Sequence, residues 1–324
     1  MSVNKIVTKV DGTINKTIDF NDLKAGLAAG SHTITVEAWN GAALISTQTK
    51  NITIAAVATF EAETTSLMNA IATPNDGTAT IYTGVTGNQL WTLVNDFVSG
   101  LKTNDLWAKL FYYHLFLGDT ALLQKYNLKD TTTFPLTWYG GWVYDNKGAL
   151  GNGVNTYADT GFVASANKDV NSNGISVVIG TDNVPTSTNI QEIGSFSSGA
   201  SASTIVVRKD DTERVFKARM NGEFLEFNNA DARGVYTSER IDSTTSLGIK
   251  NGIQKVSFNS GGSLPAFNTY IGNISFAANA PYSSGYSNQR FQGALEHTGL
   301  TLTEVQTLHS LIDTFEAGIG RKTW

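Results

Sequence analysis

The sequence predicts a mostly β protein, in which a small β module is followed by short helices and a larger jelly-roll β-sandwich. Its 324 residues include 31 glycines but only 16% charged residues, which is typical of many short strands joined by tight turns. Between residues 111 and 296, strand-like segments recur about every 8–15 residues, broken by Asn-Gly, Asp-Asp or Gly-Gly. No helical pattern separates them, which favours a sandwich or jelly roll.

Residues 1–56 predict the small β module. The stretch HTITVEAWNG alternates apolar and polar side chains and ends at Asn40-Gly41, a pair that favours a hairpin turn. A Gly-rich turn followed by His-Thr-Ile-Thr-Val resembles the last strands of immunoglobulin-like modules. At roughly 55 residues this copy would be short for that fold.

Residues 57–110 predict a helical linker segment with two helices. Thr59 is a suitable N-cap for the first. Pro and Gly residues cluster around residues 72–88, which predicts an exposed stretch open to proteolysis. The second helix has one apolar face, which would pack on its own sandwich or serve self-association. That face comprises Leu90, Leu93, Val94, Phe97 and Leu101.

Residues 111–324 predict the jelly-roll domain, which ends in a helix. Thr301 and Glu304 have the spacing of a capping box, and Gly318 or Gly320 marks the C-terminus. His309 lies within this helix, where we expect a partly exposed side chain. The buried stripe predicted for the helix comprises Leu302, Val305, Leu308, Ile312 and Phe315.

Charge and composition argue against several classes of function. The net charge is −5 and no basic stripe occurs, so nucleic-acid binding is not expected. The absence of Cys favours folding in a reducing cytosol. The N-terminus lacks the long apolar run of a signal peptide, and no stretch reaches the roughly 18 apolar residues of a membrane span.

Carboxylates are the first candidates for catalysis, because a jelly roll can carry a glycosidase. Such an enzyme needs two carboxyl groups about 5–10 Å apart. Glu223, Glu226 and Asp231 are close in sequence, but Glu223 and Glu226 are three residues apart and would face opposite sides of a strand. We therefore expect solvated charges on a hairpin and no hydrolase activity.

Other chemistry finds little support in the sequence. The segment Asp169–Gly174 matches the first half of a calcium loop, but Gly180 stands where the bidentate Glu is needed. A polar turn is the expectation there, and a different oxygen-ligand Ca²⁺ site stays open. No Gly-x-Ser-x-Gly occurs, and the four His residues lack metal-ligand spacing. We assign no catalytic, cofactor-binding or metal-binding residue.

Aromatic residues cluster in FPLTWYGGWVYD, and their rings could stack on sugars. The candidate glycan contacts are Trp138, Tyr139, Trp142 and Tyr144. The alternative is a core strand with a bulge at Gly140-Gly141. The nearby stretch GNGVNTYADTGF reads as a tight turn and a short strand, with Tyr157 as a core anchor.

These segments together resemble a known family. Residues 88–324, about three quarters of the chain, resemble the concanavalin A-like, laminin G-like jelly-roll domain of tailed-phage structural proteins. The matching blocks, in order, are DLWAKL, KYNLKD, GALGNGVNTYADTGFVAS, NSNGISVVIGTDN, ARGVYTSERIDSTTSLGIKNG, LPAFNTYIGNISF and QRFQGALEHTGLTLTEVQTLHSLIDTFEAGIGR. The family often has Tyr-Ser-Arg-Thr where this chain has VVIGTDN.

The resemblance implies a bacteriophage virion protein, a fibre, spike or tail component made in the host cytoplasm. Its N-terminal module would dock on capsid or tail proteins, and its jelly roll would be displayed for attachment to host-surface glycans. A homo-oligomer, with a trimer as the specific guess, is expected by analogy with fibres and spikes. The alternatives are a carbohydrate-active enzyme on the same scaffold and a ligand-free capsid decoration protein.

Overall fold

The computed structural model describes residues 6–9, 30–40, 43–54, 60–72, 87–185, 190–209, 215–259, 261–277 and 279–324. The chain divides into two compact units, residues 1–59 and 60–324. The predicted boundary near Ala56 lies outside the described residues, as do residues 73–86 of the exposed stretch predicted around 72–88.

The first unit contains a three-stranded sheet. Its strands are β1 (Ile6–Lys9), β2 (Gly30–Asn40) and β3 (Ala43–Ile54), in the order β1-β2-β3. β1 and β2 are parallel, whereas β2 and β3 are antiparallel from Gly30 opposite Ile54 to Asn40 opposite Ala43. The hairpin predicted at Asn40 is confirmed by this pairing.

The second unit is a β-sandwich, which confirms the predicted fold class. Its strands are β4 (Leu110–His114), β5 (Thr137–Tyr139), β6 (Val143–Asp145), β7 (Gly148–Leu150), β8 (Tyr157–Val163), β9 (Asn173–Ile179), β10 (Ile193–Ser198), β11 (Ser201–Val206), β12 (Val215–Met220), β13 (Glu223–Asn228), β14 (Gly234–Arg240), β15 (Ser246–Lys250), β16 (Ile253–Phe258), β17 (Asn268–Ile271), β18 (Ser275–Phe276), β19 (Ala280–Pro281) and β20 (Arg290–His297). Its helices are α1 (Ala62–Ala72), α2 (Gly87–Thr103), α3 (Ala121–Gln124), α4 (Ala164–Asn167) and α5 (Leu302–Gly318), with a 3₁₀ turn at Trp107–Lys109.

The strands form two sheets. Sheet I has the order β13-β12-β11-β10-β17-β8-β5, with β18 beside β10 and β19 beside β18. Sheet II has the order β16-β15-β14-β9-β20-β7-β6, with β4 also paired to β20. Neighbouring strands along both paths are antiparallel, as in β9 against β14 and β10 against β11. The Gly140-Gly141 pair carries the chain from β5 at the edge of sheet I to β6 at the edge of sheet II.

The space between the sheets is filled by apolar side chains that alternate along the strands. On β9, Ile175, Val177 and Ile179 point into this inner core, as period-2 alternation requires. The intervening Ser176 and Val178 are also fully buried. Sheet II is therefore covered on its outer face as well.

Helices α1, α2 and α5 provide that cover. Val178, Val235 and Leu295 of sheet II join a second core with the apolar faces of these helices. Phe97 of α2 lies with its ring centroid 5.4 Å from Tyr113 and 5.3 Å from Phe315 of α5. The sandwich unit thus has three layers: helices, sheet II and sheet I.

This packing decides two expectations about the helical segment. The apolar face of α2 is buried, with Leu90, Val94 and Leu101 at most 1% exposed, so of the two alternatives the helix packs on its own sandwich. α1 and α2 belong to the compact unit that begins at Phe60, so the segment is not a linker. The reason is that sheet II presents apolar side chains on both faces and must be covered on each.

The C-terminal helix forms as its sequence predicts. The Thr301 hydroxyl accepts the Glu304 backbone N–H, and the Glu304 carboxylate accepts the Thr301 N–H at 2.9 Å, which completes the capping box. The helix ends at Gly318. Four residues of the predicted stripe, Val305, Leu308, Ile312 and Phe315, are buried as predicted, whereas Leu302 is only partly buried. In the described part of the chain, we find no helix of the length and apolar character that crossing a bilayer requires.

Candidate functional site

Three of the four predicted glycan contacts face the inner core. The Trp138 ring centroid lies 5.2 Å from that of Trp142 and 5.1 Å from that of Tyr144, both edge-on. The Trp138 indole N–H donates to the Ala121 carbonyl at 3.0 Å and the Trp142 indole N–H to the Tyr157 carbonyl at 3.3 Å. These three rings are packed against the core and their indole donors are satisfied, so they are not carried forward as sugar contacts.

Tyr139 faces the opposite way and begins a stack of tyrosines on the outer face of sheet I. Its ring lies 4.5 Å from that of Tyr157, with 8° between the planes, and is 42% exposed. Tyr157 in turn lies 4.9 Å from Tyr270, at 28°. β5, β8 and β17 are adjacent strands, so the three rings form one row that starts at the sheet edge.

The stack corrects the prediction for Tyr157. We expected a core anchor, but Tyr157 is only half-buried and lies between Tyr139 and Tyr270 on the outer face. Tyr270 is buried, and its hydroxyl donates to the Asn279 carbonyl. Burial raises the pKa of the Tyr157 hydroxyl, and the neighbouring Tyr139 adds to the effect. Burial also raises the pKa of the Tyr270 hydroxyl, so both of these phenols are neutral hydrogen-bonding groups at physiological pH.

The glycine- and asparagine-rich turn at residues 152–155 supports this edge of the stack. The Asn152 carbonyl oxygen Oδ1 accepts the backbone N–H groups of Val154 and Asn155, and its Nδ2 donates to Asn155 Oδ1 at 2.8 Å. Gly140 has φ +79°, and a Cβ there would lie 2.3 Å from the Asn155 carbonyl oxygen. The turn therefore packs directly on the residue after Tyr139, which places exposed amides beside the exposed ring.

Asp159 is the charged group next to the stack. It pairs in register with Thr137 on one side and Tyr270 on the other. Its Oδ1 accepts the Gly161 N–H at 2.8 Å, and the Asn268 side-chain amide donates to both carboxylate oxygens at 3.0 Å. The carboxylate is thus fixed in position on the same face as Tyr157.

A second polar constellation lies buried between sheet II and α5. The His309 ring Nε2 is 2.8 Å from Thr237 Oγ1, which is 2.7 Å from Ser176 Oγ, which is 3.1 Å from His297 Nε2. The Gly252 N–H donates to His309 Nδ1 at 2.7 Å. The expected partial exposure of His309 is wrong: the residue is 2% exposed, because α5 turns this side chain onto sheet II.

The row of hydrogen bonds from His309 to His297 runs in one direction. His309 Nδ1 accepts a hydrogen bond, so the proton of the neutral ring is on Nε2 and points at Thr237. His297 Nδ1 lies 2.8 Å from the Thr298 carbonyl, so its Nε2 is the acceptor for Ser176. Burial lowers the pKa of His297 and of His309 to about 3. Both rings are therefore neutral and structural.

Glu239, His297 and Ser176 have the residue types of a hydrolase triad. Glu239 Oε2 lies 3.5 Å from His297 Nδ1, and burial raises the pKa of Glu239 well above the usual value. Glu239, His297 and Ser176 are fully buried, so no substrate reaches the Ser176 hydroxyl. This buried row of hydrogen bonds holds α5 on sheet II and is not a reaction site.

The predicted carboxylate candidates are dispersed. Glu226 Oε1 pairs with Lys217 at 2.6 Å across the β12–β13 hairpin, and Asp231 Oδ2 pairs with Arg233 at 2.7 Å. The side chain of Glu223 lies outside the described residues. At residues 169–174, Asp169 Oδ1 accepts the Asn171 N–H at 2.7 Å in a polar turn. In the described ranges, no group of three or more His, Cys, Asp or Glu side chains is arranged to hold a metal ion.

Comparison with known proteins gives likeness in structure alone. No protein-family model and no curated protein matches the chain. Domain 4 of AbnA, a GH43 extracellular arabinanase from Geobacillus stearothermophilus in complex with arabinotriose, is similar over 62% of this chain and 98% of that one, with 13% identity and a TM-score of 0.44. Trypanosoma rangeli sialidase in complex with sialic acid is similar over 69% of this chain and 39% of that one, with 14% identity and a TM-score of 0.44.

A third similar structure is the binding domain of botulinum neurotoxin serotype D. It covers 64% of this chain and 52% of that one, with 10% identity and a TM-score of 0.41. The prediction that this chain is not an enzyme is corrected here, because the similar structures include an arabinanase domain and a sialidase. At these identities and TM-scores the likeness transfers no residue, substrate or reaction to this chain.

Proposed function

We propose that the sandwich unit binds a glycan on the outer face of sheet I, with Tyr139 stacking on a sugar ring. The observation that carries this proposal is the tyrosine stack. Tyr157 and Tyr270 hold the Tyr139 ring in place, so its exposed face costs little conformational entropy to use. The CH face of a pyranose suits such an aromatic plane.

Polar groups around the ring complete a sugar site. Asn152 and Asn155 present exposed amides at the turn that packs on Gly140, and such amides both donate hydrogen bonds to sugar hydroxyls and accept them. An apolar plane edged by a few fixed polar groups is the usual composition of a small-ligand site. The site is shallow, so we expect weak binding by a single copy.

The experiment compares two exposed aromatic residues of the same sheet. Tyr139→Ala should weaken binding to a panel of bacterial capsular and wall polysaccharides about tenfold, the equivalent of roughly 1.4 kcal/mol. Phe224→Ala is the matched control, because Phe224 on β13 at the far edge of sheet I is also 42% exposed. Equal losses in both variants, or binding unaffected by Tyr139→Ala, would refute the site. Release of reducing ends, measured in the same samples, reports whether binding leads to turnover.

We also propose that the chain is a bacteriophage virion protein, a fibre, spike or tail component. The support is the ordered series of sequence blocks that resembles tailed-phage structural proteins. In this proposal the N-terminal module docks on capsid or tail proteins, and several copies, as a trimer, present the sandwich outward. Linking copies raises avidity by about 10²–10⁴, which offsets weak single sites.

Purified particles test the virion proposal. Mass spectrometry of phage particles should find the chain in fixed ratio to the major capsid protein, and its absence would contradict the assignment. Light scattering on the full chain at micromolar concentration tests the trimer. A monomer there would leave only copies arranged by the capsid or tail.

A further inference from the structure

We propose that Asp159 makes the tyrosine stack selective for uncharged sugars over acidic ones; this selectivity rests on the proposed glycan site. The stack is built on β5, β8 and β17, whose sequences are TWY, YADTGFV and NTYI. Asp159 is the only charged residue of these three strands. Asp159 is therefore the one charge carried by the strands of the stack.

The Asp159 charge is held in place without being neutralised. Its hydrogen-bond partners are the neutral Gly161 N–H and the Asn268 amide. Among the described residues, no ion pair includes Asp159. The carboxylate charge therefore acts on a sugar at Tyr139 through space.

A sugar on Tyr139 lies close enough to feel this charge. Neighbouring strands are about 4.8 Å apart and alternate residues about 6.8 Å apart along a strand. A ring stacked about 4 Å beyond the free face of Tyr139 is thus roughly 11 Å from Asp159. A carboxylate on that sugar would be repelled by a factor of about two to four in affinity at low salt, and less at physiological salt. A neutral sugar meets no such repulsion.

The experiment uses linkage-matched trisaccharides in pairs, each pair a neutral sugar and its uronic acid, from the glucose, mannose and galactose series. Binding is measured by titration calorimetry at about 20 mM salt, where the Asp159 charge is weakly screened, and at about 150 mM salt, where it is strongly screened. The proteins are the full chain, Asp159→Asn, Tyr139→Ala, and Asp242→Asn as the control. Asp242 is a carboxylate on the β14–β15 turn of the other sheet.

We expect each neutral member that binds to bind about two- to fourfold more tightly than its uronic partner at low salt. Asp159→Asn should bring this ratio close to one, and Asp242→Asn should leave it unchanged. Equal or tighter binding of the uronic members by the full chain would overturn the selectivity, as would a ratio that Asp159→Asn does not alter. If Tyr139→Ala abolishes binding but the full chain binds the neutral and uronic members equally, the glycan site is supported and the role of Asp159 in selectivity is refuted. Failure of all pairs to bind would overturn both.

Discussion

Replacing His309 by Gln should make the sandwich less sensitive to acid. In the folded protein the pKa of His309 is lowered to about 3 by burial, whereas an exposed histidine titrates near 6.5. Because the folded pKa is depressed, the unfolded chain takes up the proton first. The stabilising effect of the neutral ring is complete above pH 6.5 and is lost as the pH falls towards 3.

The size of the effect follows from the pKa difference. Each pH unit between 6.5 and 3 costs about 1.4 kcal/mol, so at pH 5 the protonation of His309 in the unfolded chain costs about 2 kcal/mol of stability. The NH₂ group of a glutamine amide can donate to the Thr237 hydroxyl, and its carbonyl oxygen can accept the Gly252 N–H. The amide does not titrate, so this loss disappears in the variant.

Urea unfolding of both proteins at pH 7.5 and pH 5 measures the effect. Any packing cost of glutamine shifts the variant equally at both pH values. Other buried groups, such as Glu192, whose pKa burial raises to about 8, are present in both proteins and cancel in the difference. The free energy of unfolding should therefore fall about 2 kcal/mol less in His309→Gln than in the parent chain.

The control is Ser310→Ala, at an exposed position on the same helix, which should follow the parent at both pH values. If His309→Gln also follows the parent, the ring is not held neutral against sheet II, and the buried hydrogen-bond chain is wrongly described. A steeper acid loss in the variant would contradict the sign of the reasoning.

Four further predictions concern stability and the proposed site. Thr301→Ala should cost about 1 kcal/mol in urea unfolding, because it removes the N-cap of α5; no change would show that the cap is not used. Phe97→Ala should cost about 3–5 kcal/mol, since it opens a cavity between α2, α5 and sheet II; a loss below 1 kcal/mol would place this helix face outside the core. Gly140→Ala should leave the fold intact but weaken polysaccharide binding, because its Cβ would displace Asn155; unaffected binding would separate that turn from the site. Limited proteolysis should cut within the exposed stretch predicted around residues 72–88, and resistance there with cuts inside residues 130–290 would contradict it.

Elements with local signals were predictable from the sequence. The capping box of Thr301 and Glu304 is written within one helical turn, and the structure forms it as predicted. The hairpin after Asn40 likewise depends on adjacent residues. Local hydrogen bonds and backbone preferences act before any long-range contact forms, so these elements could be identified without knowledge of the fold.

The proposed site was only partly predictable, because it depends on pairing between distant strands. Alternation separates Trp138 from Tyr139, but it does not say which of the two faces the core. The chain crosses between the sheets at Gly140-Gly141, so Trp142 lies on the same core as Trp138, and a single strand pattern does not show this. Tyr270 reaches the stack only because β17 pairs with β8, a contact between remote parts of the chain.

The third layer determines which surface the sandwich can use. A β-sandwich has two outer faces, and either one could in principle carry a ligand. Here α1, α2 and α5 cover sheet II, where even Ser176 and His297 are fully buried. The outer face of sheet I carries no such helical layer among the described residues and exposes Tyr139 at one edge and Phe224 at the other. Because α1, α2 and α5 cover sheet II, we expect a ligand site on the outer face of sheet I.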